Sequence, residues 1–128
     1  MEKLSATTNA LNWFEIPIID VERAKKFYET IFDIEMIPLE MMSMQMLMFP
    51  SQSPKSGGAL VKSPYHTPST TGALIYLNAN PDLQLVLDKI ESAGGTVTMP
   101  KTNIDPETGN MAFFIDTEGN LVGLHSGQ

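Results

Sequence analysis

The chain has 128 residues, of which 42% are hydrophobic and 18% charged, and its formal net charge is −7. This composition is typical of a globular protein whose length allows a true hydrophobic core. The negative charge argues against binding to nucleic acid or to an anionic membrane surface. We find no apolar run long enough for a membrane span, no signal peptide and no cysteine, so we expect a cytoplasmic protein without disulfide bonds.

The first half of the chain predicts a strand, a helix and three further strands. NWFEIPII (12–19) is rich in β-branched and aromatic residues, which favour a strand. DVERAKKFYETIF (20–32) has apolar residues at helical spacing, and Asp20 can cap its first turn. We predict a short or irregular strand at EMIPLE and strands at 41–49 and 58–62, with a Pro-, Ser- and Gly-rich loop between the last two.

The same order of elements begins again after the linker SPYHTPSTTG (63–72). GALIYLNA (72–79) predicts a strand, and the next segment predicts a helix capped by Asn80, with Pro81 in its first turn and Gly94 at its end. TVTMP (96–100) predicts a short strand, KTNIDPETG (101–109) a loop, and NMAFFID and LVGLHS a closing hairpin. This internal repeat predicts an α+β fold of two modules, about residues 10–63 and 72–126. Each helix would cover one sheet face, and the other face would meet its counterpart.

A methionine-rich segment, EMMSMQMLMF (40–49), contains five of the nine methionines in the chain. Met42, Met44, Met46 and Met48 occupy alternate positions, so a strand would place all of them on one face. Methionine is flexible and polarizable, and it therefore suits a surface that binds apolar ligands of varied shape. The alternative is ordinary packing in the core or at a subunit interface. In both cases we expect the stripe to be buried, because soluble monomers rarely expose such a patch.

Three stretches of the chain resemble the vicinal oxygen chelate superfamily, which includes glyoxalases, bleomycin-resistance proteins and extradiol dioxygenases. They are NWFEIPIIDVERAKKFYETIF, GALIYLNANPDLQLVLDKIESAGGTV and FFIDTEGNLVGLHS, and the resemblance covers about residues 10–126. It implies a single glyoxalase-like domain, residues 1–128, in which two βαβββ modules form an open, curved, eight-stranded cup. The open sheet edges and the family's usual assembly together imply a homodimer.

The resemblance also identifies where a metal would bind in this fold. Metal-using members hold a divalent cation with four inward-pointing side chains, usually His or Glu. The equivalent positions here are Trp13, Ala59, Ala73 and Gly123, none of which can ligate such a cation through its side chain. We therefore predict no metal site and no cofactor.

The side chains that would line the cup define the candidate ligand site. Trp13 could stack on a planar ligand or simply fill the space of the metal. Glu15 shares a face with Trp13, and we expect His125 to be its partner, so both are candidates for acid–base chemistry. The alternatives are a solvated strand end for Glu15 and a frayed terminus for His125, while His66 is expected to be a solvated linker residue. The full ligand-binding prediction comprises Trp13, Glu15, Met46, Met48 and His125.

The sequence leaves three classes of function open. The first is metal-independent binding of a small, partly apolar molecule. The second is an enzyme of the lyase, isomerase or dioxygenase type with a non-standard site. The third is a non-catalytic interaction subunit whose cup is filled by its own side chains.

Overall fold

A computed structural model describes residues 3–128 as two four-stranded sheets and two helices that form an open cup. The first sheet has the order β1-β4-β3-β2 and the second β5-β8-β7-β6, so the predicted α+β fold is confirmed. The elements, in chain order, are β1 (Trp13–Pro17), α1 (Val21–Phe32), β2 (Ile37–Met41), β3 (Met44–Met48), β4 (Gly57–Lys62), β5 (Tyr76–Asn78), α2 (Gln84–Ala93), β6 (Thr96–Asp105), β7 (Gly109–Ile115) and β8 (Leu121–Ser126).

Helix α1 forms where the helical spacing predicts it. The carboxylate of Asp20 accepts a hydrogen bond from the Arg23 backbone N–H at 3.1 Å, which satisfies one of the free donors of the first turn. The apolar stripe of the helix is buried and comprises Ala24, Phe27, Tyr28 and Ile31. Helix α1 has 12 residues and α2 has 10. Neither these nor any other helix of the described segment has the length and apolar character needed to span a membrane.

Helix α2 begins later than predicted. It starts at Gln84, and Leu83 precedes it without a side-chain cap. Asp82 accepts a hydrogen bond from the Gln84 backbone N–H at 2.9 Å. The prediction that Asn80 caps this helix was wrong, because its side-chain oxygen accepts from the Gly127 backbone N–H at 2.8 Å. The predicted end at Gly94 is correct, and this residue has a φ of 109° that suits glycine.

The second sheet also differs from the prediction in two strands. β5 has only three residues, whereas GALIYLNA (72–79) predicted a strand of eight. β6 extends to Asp105, so most of the loop predicted at 101–109 belongs to a strand. The true turn is short, and it is closed by Asp105, which accepts hydrogen bonds from the backbone N–H groups of Glu107 and Thr108. Pairing with β7 therefore extends the strand through residues 101–105, and only residues 106–108 form the turn.

The two modules share one hydrophobic core on the helix side of the sheets. The ring of Phe27 on α1 lies 5.9 Å from that of Phe114 on β7, measured between centroids. The buried hydroxyl of Tyr28 donates to Asp116 at 2.7 Å. The modules therefore pack through their helices. The expected direct packing of the two uncovered sheet faces was wrong, because the core that contains residues of both modules lies on the opposite side.

Candidate functional site

Each sheet has one face covered by the helices and a second face, here called the inner face, that points away from them. In the first sheet, Ile16, Leu47 and Leu60 belong to the shared core. Because successive side chains of a strand alternate, Trp13 and Glu15 lie on the inner face, as predicted. The register places Glu15 beside Ala59 and Ala59 beside Met48, so these side chains form one row across the inner face.

The methionines of β3 form a cluster on this inner face. Met44, Met46 and Met48 pack around Ala59 and Val61, and Met46 is 6% exposed. Met46 is buried as predicted, whereas Met44 and Met48 are only half-buried.

Met42 lies outside this cluster. It lies in the turn between β2 and β3 with a φ of 52° and is 80% exposed. Across the hairpin, Met41 pairs with Met44 instead. The strict alternation in the sequence concealed this turn, because MMS lacks the Gly or Asn typical of such positions.

Glu15 is held by two side-chain donors. One carboxylate oxygen accepts the indole N–H of Trp13 at 3.2 Å. The other lies 2.8 Å from Nε2 of His66. The prediction that His125 is the partner of Glu15 was therefore wrong, as was the expectation that His66 is merely solvated. The linker folds back on β1 and brings His66 to the inner face, where its side chain is 17% exposed.

A short hydrogen-bond chain continues from His66 to Ser63. The Ser63 Oγ lies 2.6 Å from Nδ1 of His66, and it also accepts the Tyr65 backbone N–H at 3.0 Å. With that acceptor position used, the hydroxyl can donate its proton to Nδ1. The neutral imidazole then carries its proton on Nε2 and donates it to Glu15. These two hydrogen bonds thus link the Ser63 hydroxyl, the His66 imidazole and the Glu15 carboxylate.

The hydrogen bond from His66 is the main reason that the pKa of Glu15 is lowered. The Trp13 indole N–H acts in the same direction, while partial burial opposes both. Glu15 is therefore an anion at neutral pH, fixed in position at the border of an apolar surface. An anion in such a place can orient a donor group of a ligand.

His125 lies on the inner face of the second sheet. It pairs with Met111 on β7 and Asn78 on β5, and its Nε2 donates to the Thr108 carbonyl at 2.6 Å. It is an ordered strand residue rather than part of a frayed terminus. A cavity of about 230 Å³ next to Glu15 is bordered by the linker and the start of β8, and His125 does not line it.

The four positions that the resemblance identifies for a metal carry Trp13, Ala59, Ala73 and Gly123, whose side chains offer no ligand for a divalent cation. The register places Glu15 beside Ala59 and Tyr76 beside Gly123. A side chain at Gly123 would meet the Tyr76 ring, since a Cβ there would lie 2.7 Å from it. Ala73 precedes β5 in an irregular segment. Within residues 3–128, no group of three or more His, Cys, Asp or Glu side chains is arranged to hold a metal ion.

Comparison with known proteins agrees with this fold. Residues 11–50 match the family described as "Bleomycin resistance protein-like N-terminal". A glyoxylase-like domain-containing protein from Didymella fabae is 31% identical over 121 residues, covering 89% of this chain and 91% of that protein. The chain therefore belongs to the vicinal oxygen chelate superfamily of glyoxalase-like and bleomycin-resistance-like proteins.

Two solved structures illustrate the range of proteins with this fold. TnmS3, an antibiotic binding protein from Streptomyces sp. CB03234, has a TM-score of 0.65 at 21% identity, covering 95% of this chain and 98% of its own. A glyoxalase I mutant from Zea mays has a TM-score of 0.69 at 17% identity. That match covers 90% of this chain but 44% of the maize enzyme. One fold thus serves both a binding protein and an enzyme.

Proposed function

We propose that this protein binds a small, partly apolar molecule on the inner face of its cup without a metal ion. In this proposal the ligand contacts Trp13, Glu15 and Met48, and the largely buried Met46 belongs to the same apolar surface. His125 does not line the cavity beside Glu15 and is left out of the proposed contacts. His66 holds the Glu15 carboxylate in place. The similarity to an antibiotic binding protein supports a small-molecule ligand.

The observation that carries this proposal is the pairing of Trp13 with Glu15 beside the methionine cluster. Trp13 is 40% exposed, and its N–H is already bound to Glu15, which restricts the orientation of the indole. An exposed ring held in one orientation is suited to stacking on a planar group. Thioether side chains adapt to an apolar body, and the carboxylate can accept one hydrogen bond from the ligand.

Homodimer formation is part of the proposal. All five residues of β2 are exposed, and Ile37, Leu39 and Met41 share a face with the methionines of β3. These three side chains are 43–55% exposed, which is unusual for a row of large apolar residues on an edge strand. A second copy would cover this row. Sedimentation at micromolar concentration should give twice the mass of the chain, and a monomeric mass would contradict this part.

Ligand binding can be measured through Trp13, which is the only tryptophan of the chain. We expect a panel of planar aromatic antibiotics to include compounds that quench its fluorescence saturably. Glu15→Gln should weaken the binding of such a compound about tenfold, because a hydrogen bond to a charged acceptor is lost. Glu107→Gln, which neutralises an exposed carboxylate in the β6–β7 turn, is the matched control. Equal affinities for the two variants would contradict the proposed role of Glu15.

The metal-free part of the proposal needs a separate measurement. Elemental analysis of the purified protein should find no stoichiometric divalent metal, and chelators should leave ligand affinity unchanged. About one metal ion per chain, with loss of binding on chelation, would refute this part.

An enzyme remains the second candidate, and the Ser63–His66–Glu15 chain favours it. Such a chain can take a proton from a hydroxyl and return it, which is the requirement of general acid–base catalysis. Mass spectrometry of a compound incubated with the protein distinguishes the two candidates. An unchanged compound is expected for a binding protein. Product formation that His66→Gln abolishes would establish the enzyme instead.

A further inference from the structure

A second, larger cavity lies away from the inner face, between the two modules on the helix side. This inter-module groove has a volume of about 550 Å³. Phe14, Phe32 and Phe49 form its wall in the first module, and Leu85 and Val86 of α2 form the opposite wall. Its size, its aromatic walls and its place between two modules are typical of small-molecule sites.

The groove exists because the two halves differ at equivalent places. At the start of α1, the β7–β8 turn packs against the helix, where Glu118 accepts the backbone N–H groups of Ile19 and Asp20. At the start of α2, the equivalent β3–β4 loop leaves the space open. The ends of that loop, Pro50 and Ser56, line the groove rather than fill it. The groove thus occupies the place that the β7–β8 turn fills in the other half of the molecule.

The charged side chains in the groove lining indicate which kind of ligand would fit. Asp82 and Lys89 are the charged residues of the groove lining. The Asp82 carboxylate accepts from Lys101 Nζ at 2.8 Å, so its charge is offset by a neighbouring cation. Lys89 therefore adds positive charge to the lining of a mainly apolar groove. That arrangement complements a molecule with an apolar body and one anionic group.

We infer that the inter-module groove is a second binding site, distinct from the cup, for an aromatic or aliphatic carboxylate or sulfonate. The apolar body lies between the phenylalanine rings and α2, and the anionic group lies near Lys89. This inference does not depend on the function proposed for the inner face.

Two fluorescent probes that differ by one charged group test this assignment. 8-Anilinonaphthalene-1-sulfonate carries the anionic group, and N-phenyl-1-naphthylamine lacks it. We expect both to bind saturably, the sulfonate about threefold more tightly, as a solvent-exposed ion pair allows. Lys89→Gln should remove that difference. The matched control is Lys26→Gln, which removes an exposed charge from α1 and should preserve the difference.

A further pair of variants locates the probes. Leu85 is 60% exposed, so Leu85→Ser can remove part of the groove wall without disturbing the core, and it should weaken both probes about fivefold. Loss of affinity in Met48→Ala instead would place the probes on the inner face and overturn the inference. The inference also fails if Lys89→Gln and Lys26→Gln behave alike, if neither probe saturates, or if binding disappears as the protein associates, because a second copy then occupies the groove.

Discussion

The two modules meet at two equivalent places, the start of α1 and the start of α2, which are here called junctions. The first junction is filled by a turn of the other module, and the second contains a groove. At the start of α1 the junction is closed: Glu118 binds two backbone N–H groups and the Arg23 guanidinium, whose Nε lies 2.8 Å away. At the start of α2 the junction is open, and a groove takes the place of the turn. The repeat therefore determines where the junctions lie, while the residues of one loop decide whether each is filled.

Breaking the closed junction should have the largest effect. The side chain of Glu118 is fully buried. Burial raises its pKa, but hydrogen bonds from Arg23, Asp20 and Ile19 outweigh this, and the pKa is lowered from 4.5 to about 2. Glu118→Gln should therefore lower the free energy of unfolding at pH 7 by about 3 kcal/mol, measured by urea denaturation. The control Glu107→Gln, in the other turn of the same sheet, should change it by less than about 0.5 kcal/mol.

The same carboxylate makes a pH profile informative. Because the pKa of Glu118 is lower in the folded protein, its contribution is complete above about pH 4.5 and declines as the pH falls towards 2. Glu118→Gln should accordingly lose less stability than the wild type over this interval. Parallel profiles for the two proteins would mean that Glu118 does not contribute through its charge.

A smaller effect is expected at the open junction. There the Leu83 backbone N–H donates to the buried Ser126 Oγ at 2.9 Å, which is a neutral hydrogen bond. Ser126→Ala should cost about 1 kcal/mol, because one donor is left unsatisfied. Ser92→Ala, on the exposed side of α2, should change little. If Ser126→Ala were as damaging as Glu118→Gln, the distinction between the junctions would be lost.

Part of the candidate site followed from strand alternation alone. Residues two apart share a face, and the structure places Trp13 with Glu15 and three of the four methionines together. The partner of Glu15 could not be derived this way. His66 is 51 residues away along the chain, in a linker without periodicity, and only the folded linker brings its imidazole within 2.8 Å of the carboxylate.

Sequence alone determined the order of elements, the apolar stripe of α1 and the resemblance of the chain to its superfamily. These features depend on local spacing, on capping residues such as Asp20 and on motifs within one segment. Tertiary structure alone decided that β6 continues to Asp105, that Asn80 binds Gly127 instead of capping α2, and that the two modules line a groove beside their shared core. Each of these features depends on contacts between segments that are far apart in the chain. The free energy of such contacts exceeds the local conformational preference, and the contacts leave no periodic pattern in the sequence.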